Sequence, residues 1–519
     1  MGVPIQLRSA GSTGFLCRAP SFIGLLLIFL FSGAAGGEIA TGSLAPGTKW
    51  ETPYHLIEGS RPGPTVLVTG GLHGNEPAGS LAAEQILHWP ILRGRLVVLP
   101  RANQPGLRKG TRHLPDVARQ EADLNRNFPR TDGKNEASSL IGKEIWELAQ
   151  KFKPDWLIDL HEGYHFHKIQ SKSVGSTILV SQPVGPGTRS VVGGMLASVN
   201  STVEDPDKHF VPLRGTANGS LTRAAAERLG ANSLILETTT REQAISLRTR
   251  QHRLMLRSIF QDMGMLGEGA PSMTRTRGEA SLRVALYDGQ GAGESGPRNL
   301  QEVMKTIPRS LSWRIGPSDI IEGALSHFDV VIFPGGSGSK QAAALGIEGR
   351  KEVRRFVEKG GGFVGICAGA YLAAANYSWS LGICDYNTFC EAREIPGVGR
   401  KSMWYRGPSA TVTIELTPVG QEILGYAGEP FKVRYHNGPI VSPAGMDEVP
   451  DYEVLAWFRS EVSRYETQKG TMVNTPAIVG GKFGKGRVLS ISPHPESSRD
   501  LSLLVTRAIH WAAQLEPSK

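Results

Sequence analysis

The chain has 519 residues, 40% hydrophobic and 20% charged. That is apolar enough for packed cores and too long for a single one, since cores stop growing near ~250–300 residues. The net charge of +9 is spread along the chain with no basic stripe interleaved with aromatics, so nothing argues for nucleic-acid binding. Four cysteines exclude a disulfide scaffold.

Residues 1–36 read as an export signal. Arg8 and Arg18 form a basic start, Phe22 to Phe31 an apolar run, and Ser32-Gly33-Ala34-Ala35 a small-residue cleavage zone. The run is shorter than the roughly 18 residues wanted for a membrane span. The mature chain is therefore expected to be secreted or periplasmic with no stable membrane span, an uncleaved anchor being the alternative. Cys17 lies within this segment. Cys384 and Cys390, six positions apart, either close a short disulfide loop or are two buried thiols.

From Trp50 to about Met265, short apolar runs alternate with helical periodicity. Strands are expected at Thr65–Val68, Arg95–Leu99, Trp156–Leu160 and Ser233–Glu237, and helices at Pro77–His88, Leu140–Phe152, Val191–Val203 and Leu221–Leu229. Gly267–Ala280 loses the pattern and reads as a linker. A second series begins with Leu282–Tyr287 and continues through Val330–Phe333, a helix near Lys351–Lys359, Phe363–Ile366, Arg487–Ile491 and a final helix, Leu501–Leu515. The expected class is α/β, with two open-sheet αβα units of mainly buried strands.

The first unit carries chemistry at its strand ends. After the strand TVLV comes Gly70-Gly71-Leu72-His73-Gly74-Asn75-Glu76, where His73 and Glu76 sit three apart on a turn and can converge on one ion. A catalytic zinc takes three protein ligands and keeps a position for water. His161, ending the strand of Asp159-Leu160-His161, is the candidate third, because neighbouring strands of an open sheet end in one crevice. Glu237 ends another strand and can act as general base and acid. In Asp123-Leu124-Asn125-Arg126, an arginine fork can hold a substrate carboxylate and Asp123 can orient a ligand histidine. His165 and His167 are read as loop histidines, not ligands.

This order of motifs resembles the zinc carboxypeptidases, and within them the succinylglutamate desuccinylase/aspartoacylase branch, over about residues 50–260. The resemblance implies one Zn2+ per chain on His73, Glu76 and His161, Glu237 as general base, and Asn125 and Arg126 as carboxylate binders. It also implies an upstream arginine that polarises the scissile carbonyl: Arg112, with Arg108 competing. The substrate implied is a small peptide or N-acyl amino acid with a free carboxylate. A binding protein for amino-acid or cell-wall peptide ligands is the alternative, and the general base argues against it.

The second unit carries a sharp turn. Gly365-x-Cys367-x-Gly369 lies between a strand and a helix start, the spacing of a nucleophile elbow, and N–H groups at a helix amino end favour a thiolate. Gly335 and Gly336 follow another strand and can donate N–H groups to an oxyanion. His494, with Glu496 to orient it, is the base partner. A cysteine followed at a distance by His-x-Glu resembles the class I glutamine amidotransferases. Cys367-Ala368-Gly369-Ala370-Tyr371 and Tyr435-His436-Asn437-Gly438-Pro439 bring the resemblance closest to the biotin–protein ligase amino-terminal type. It implies a flavodoxin-like sheet over 282–515, after a carboxypeptidase-like mixed sheet over 49–265 and a linker over 266–281. A thiol-dependent amidase with an ancillary metal unit is a further reading.

Overall fold

The computed structural model describes residues 38–132, 136–276, 280–426 and 428–515; the export segment expected over 1–36 lies outside them. Among the described residues no helix is long and apolar enough to cross a membrane.

The first sheet contains β1 (Ile39–Leu44), β2 (Thr52–Glu58), β3 (Arg61–Gly70), β4 (Arg93–Leu99), β5 (Trp156–Gly163), β6 (Thr177–Val180), β7 (Val211–Arg214) and β8 (Asn232–Thr239). Its order is β1-β2-β4-β3-β5-β8-β6-β7. The central β4, β3, β5 and β8 are parallel, while β2 and β6 flank them antiparallel. Every residue of β5 is buried, as a strand covered on both faces requires. Side-chain alternation sends Val66 and Ile158 into a core beneath α1 (Pro77–Ile86), α4 (Thr188–Asn200) and α6 (Ile245–Asp262). Leu67 and Leu157 face the core beneath α3 (Leu140–Phe152) and α5 (Leu221–Leu229). A short α2 (Gln104–Lys109) precedes the Arg112 loop.

The second sheet is built from β9 (Leu282–Tyr287), β10 (Ser310–Ile315), β11 (Val330–Phe333), β12 (Gly362–Ile366), β16 (Ala410–Leu416), β17 (Phe431–Tyr435), β19 (Glu453–Phe458), β20 (Pro476–Phe483) and β21 (Gly486–Ile491). Two small antiparallel pairs stand apart: β13 (Tyr386–Thr388) with β18 (Val441–Pro443), and β14 (Ala392–Ile395) with β15 (Gly399–Ser402). The main order is β10-β9-β11-β12-β21-β20-β19-β16-β17. Its first five strands are parallel in the 2-1-3-4-5 order of doubly wound flavodoxin-like sheets, as expected, and four antiparallel strands extend it. Its helices are α7 (Ser295–Met304), α8 (Pro317–Ile321), α9 (Gly338–Glu358), α10 (Ala368–Ala373), α11 (Pro418–Leu424) and α12 (Ser502–Ala512).

Part of the stretch read as a linker is packed: Ser272 and Met273 are buried and Thr274 Oγ1 donates to His88 O at 3.0 Å. Both sheets lie within one compact unit, Gly36–Lys519. The α6 helix went unread because Arg248, Arg250, His252 and Arg253 break its apolar pattern, yet all four are buried. Cys384 and Cys390 fit neither reading offered for them, since both are free, Cys384 buried and Cys390 exposed.

Candidate functional site

The turn after β3 brings the first motif to the sheet's carboxyl edge. Glu76 N donates to His73 O at 3.2 Å, and Gly74 N reaches Arg112 O at 3.2 Å, tying the Arg112 loop to this turn. His73 Nδ1 lies 3.0 Å from Glu76 Oε1, while His161 Nδ1 lies 2.8 Å from Glu76 Oε2 and 3.0 Å from His73 Nδ1. One ligand atom from each residue falls within 4.8 Å of the others, and all three residues are buried. The remaining ring nitrogens are anchored: His73 Nε2 sits 3.0 Å from Asp123 Oδ1, and His161 Nε2 2.7 Å from Asp159 Oδ2. Asp159 in turn accepts from Thr69 Oγ1 at 2.6 Å. Two histidines and a carboxylate, with carboxylates fixing both imidazoles from behind, are a donor set that fits one divalent cation.

The three groups are strongly coupled electrostatically. Burial opposes ionisation of Glu76, but His161 and His73 outweigh it and hold the carboxyl below its usual range. Burial likewise opposes protonation of His161, and Asp159 and Glu76 push it well above the ordinary imidazole value. Asp123, despite partial burial, is drawn down to about 2 by its bond to His73 and by Arg126 and Arg112.

Glu237 stands beside His161 in register between the parallel β5 and β8. Burial, with Glu76 nearby, raises its carboxyl to about 8 against the pull of His161. Its side chain has no hydrogen-bonding partner among the described residues, so nothing in the protein competes for the proton it would carry. Arg112 Nη1 donates to Glu76 Oε1 at 2.6 Å and the side chain is 43% exposed, at the edge of the triad. Arg108 is exposed on the neighbouring helix end.

The two residues expected to bind a substrate carboxylate sit differently, one buried and one exposed. Asn125 is buried, with Nδ2 3.2 Å from His161 Nε2 and Oδ1 accepting from Leu221 N at 3.1 Å. Its amide is engaged by a ligand imidazole and a helix end. Arg126 is exposed, and its Nη1 donates to Asn125 O at 2.6 Å. Glu162, next to His161 on β5, points to the opposite face, accepting from Ala78 N at 2.7 Å and from Arg248. His167 bonds Ser173 O and His165 meets Arg241, so neither joins the triad. Asp159 was not singled out from sequence. The signal was available: on a strand, residue i−2 shares the face of His161.

The second site lies at the end of β12. Cys367 has φ 51° and ψ −96°, a strained conformation for a side-chain-bearing residue. The flanking glycines are required: a Cβ on Gly365 would stand 2.5 Å from the Gly369 backbone, and one on Gly369 would stand 2.1 Å from Phe333 O. His494 Nδ1 lies 2.8 Å from Glu496 Oε1. Burial opposes its protonation, but Cys367 and Glu496 beside it push the imidazole up to about 10. The Cys367 Sγ donates to His436 O at 3.4 Å, and His494 Nε2 has no partner, so thiol and imidazole are close without being aligned. Neither Gly335 nor Gly336 donates its N–H to a protein acceptor among the described residues, and the His494 ring packs where a Gly335 Cβ would be.

Residues 62–174 match the succinylglutamate desuccinylase/aspartoacylase catalytic domain family, and residues 282–512 match the biotin-protein ligase amino-terminal family. Both resemblances hold. The first half is also similar to the N-alpha-acetyl-L-2,4-diaminobutyric acid deacetylase of Halomonas elongata, 32% identical over 104 residues, covering 20% of this chain and 29% of that protein. Among solved structures, a Gln46His variant of the cell shape determinant Csd4 from Helicobacter pylori aligns at 21% identity over 40% of this chain and 54% of its own, with a TM-score of 0.34. An aspartoacylase family protein from Mesorhizobium loti aligns at 21% identity over 45% of this chain and 69% of its own, with a TM-score of 0.33. The chain thus spans under a third of the curated relative and about half of Csd4. The deacylase-like half holds the His73–Glu76–His161 triad, and the ligase-like half holds Cys367.

Proposed function

We propose that the deacylase-like half is a zinc-dependent amide hydrolase acting on a small peptide or N-acyl amino acid that carries a free carboxylate. The observation that carries this reading is the convergence of His73, Glu76 and His161 within 4.8 Å, beside a buried and unpartnered Glu237 in register with His161. Zinc held by the triad would supply Lewis acidity and a water of lowered pKa. Glu237 takes a proton from the attacking water and returns it to the leaving amine. Arg112, half-exposed at the rim, stabilises charge developing on the scissile carbonyl, and Arg126, also exposed, binds the substrate carboxylate. Asp123, Asp159 and Asn125 keep the two imidazoles in one orientation. Export to a secreted or periplasmic location belongs to the same proposal. In the ligase-like half, Cys367 is the nucleophile of an amidotransferase-type site, with His494 and Glu496 as its base pair and the Gly335 and Gly336 N–H groups at the oxyanion.

The test is a panel of N-acyl amino acids and short peptides assayed with the zinc-loaded protein and with Glu237→Gln. Hydrolysis should fall roughly 10²–10⁴-fold in the variant while bound zinc is unchanged. Equal rates in the two proteins would remove Glu237 from the mechanism.

A further inference from the structure

The helix that follows the metal turn is capped in an unusual way. Glu76 is the N-cap of α1 but makes no side-chain cap bond, because its carboxylate is turned toward His73 and His161. Pro77 has no N–H, so Ala78 offers the first free donor of the helix. That donor goes to Glu162 Oε1, 2.7 Å away on β5. Glu162 N also donates to Glu76 Oε2 at 3.1 Å. One residue of β5 thereby fixes both the helix start and the ligand carboxylate.

Glu162 is itself buried and would be costly to leave unpaired. Its second oxygen accepts from Arg248 of α6, also buried. The seat of α6 comes from the other half of the chain. Ser246 N donates to Asp288 Oδ2 at 3.1 Å and Ser246 Oγ to Asp288 O, just past β9. Asp288 is also paired to Arg314 Nε at 3.0 Å. Further along α6, Arg250 meets Asp319 and Glu322, and Arg253 meets Asp319.

From this chain of contacts we infer that Glu162 and Arg248 are positioning residues for the metal triad, and that the ligase-like half sets their position through Asp288 and α8. The inference rests on the metal reading proposed above. Neither residue touches the triad's ligand nitrogens. They act by holding the segment that presents Glu76, in the manner by which outer-shell partners tune metal affinity.

The test is metal binding, read without turnover. Co2+ is titrated into the metal-stripped full-length protein, with affinity taken from chelator competition and geometry from its visible absorption bands. Arg248→Met should weaken binding about 10–100-fold and shift the bands, and Arg248→Lys should recover most of the loss. Because Arg248→Met strands a buried carboxylate, the double variant Glu162→Gln/Arg248→Met, which keeps an acceptor for Ala78 N, should bind better than the single one. A folded Arg248→Met with wild-type affinity and bands would overturn the inference. So would a double variant no better than Arg248→Met, which covers the case in which the single variant folds poorly. Wild-type protein that binds no Co2+ would instead sink the metal reading itself.

Discussion

At the residue scale, the orientation of the candidate histidines is set by nearby polar side chains. His161 faces the triad because Asp159, two residues back, and Asn125 hold its far nitrogen. His494 is the analogous case in the ligase-like half. Its folded pKa is raised from 6.5 to about 10, burial opposing and Cys367 and Glu496 prevailing. A raised imidazole stabilises the fold fully below its unfolded pKa, and that stability is lost as pH rises through the folded value. Wild-type protein should therefore lose stability between about pH 6.5 and about pH 10 more steeply than His494→Gln does. Thermal unfolding of both proteins across that window measures the difference; parallel curves would mean the imidazole gains nothing from its two partners.

At the element scale, close approach of backbone decides where the nucleophile turn can form. Gly369, in α10, lies so near β11 that a methyl group would stand 2.1 Å from Phe333 O. Gly369→Ala must push the helix off the sheet, and overpacking of this kind costs typically 1–3 kcal/mol. Urea unfolding should show that loss, and a variant as stable as wild type would mean that the elbow is looser than its glycines indicate. Central strands such as β3, β5, β8 and β12 were legible because two-sided burial makes them continuous apolar runs. The edge strand β7, four residues long and alternating intermediate with exposed, and its four-residue neighbour β6 are too short to read as strands. The α6 helix stayed hidden for the opposite reason, its polar residues being buried against partners distant in sequence.

At the scale of the whole molecule, buried charge joins the two halves. Arg250 and Arg253 lie in the first half and Asp319 in the second, each nearly inaccessible to solvent. Removing Asp319 would leave Arg250 and Arg253 without that buried partner, a loss that typically costs about 3–5 kcal/mol. Hydrogen exchange in denaturant should show β5 and β12 opening together; opening of one sheet at markedly lower denaturant would contradict a shared unit. The strand ends that carry His73, His161 and Glu237 were legible in the sequence, because HxxE, strand-end His and strand-end Glu are local patterns. The commitment of Asn125 to His161, the exposure of Cys390 and the Glu162–Arg248 pair depend on contacts 36 to 86 positions apart for the two paired cases, which local patterns do not carry.

The central claim is that His73, Glu76 and His161 hold one catalytic metal. It is tested most directly by elemental analysis of the purified full-length chain beside His161→Ala. The account predicts about one zinc per wild-type chain, as catalytic sites of this donor set hold, and little or none in the variant. Full zinc occupancy in His161→Ala would contradict it.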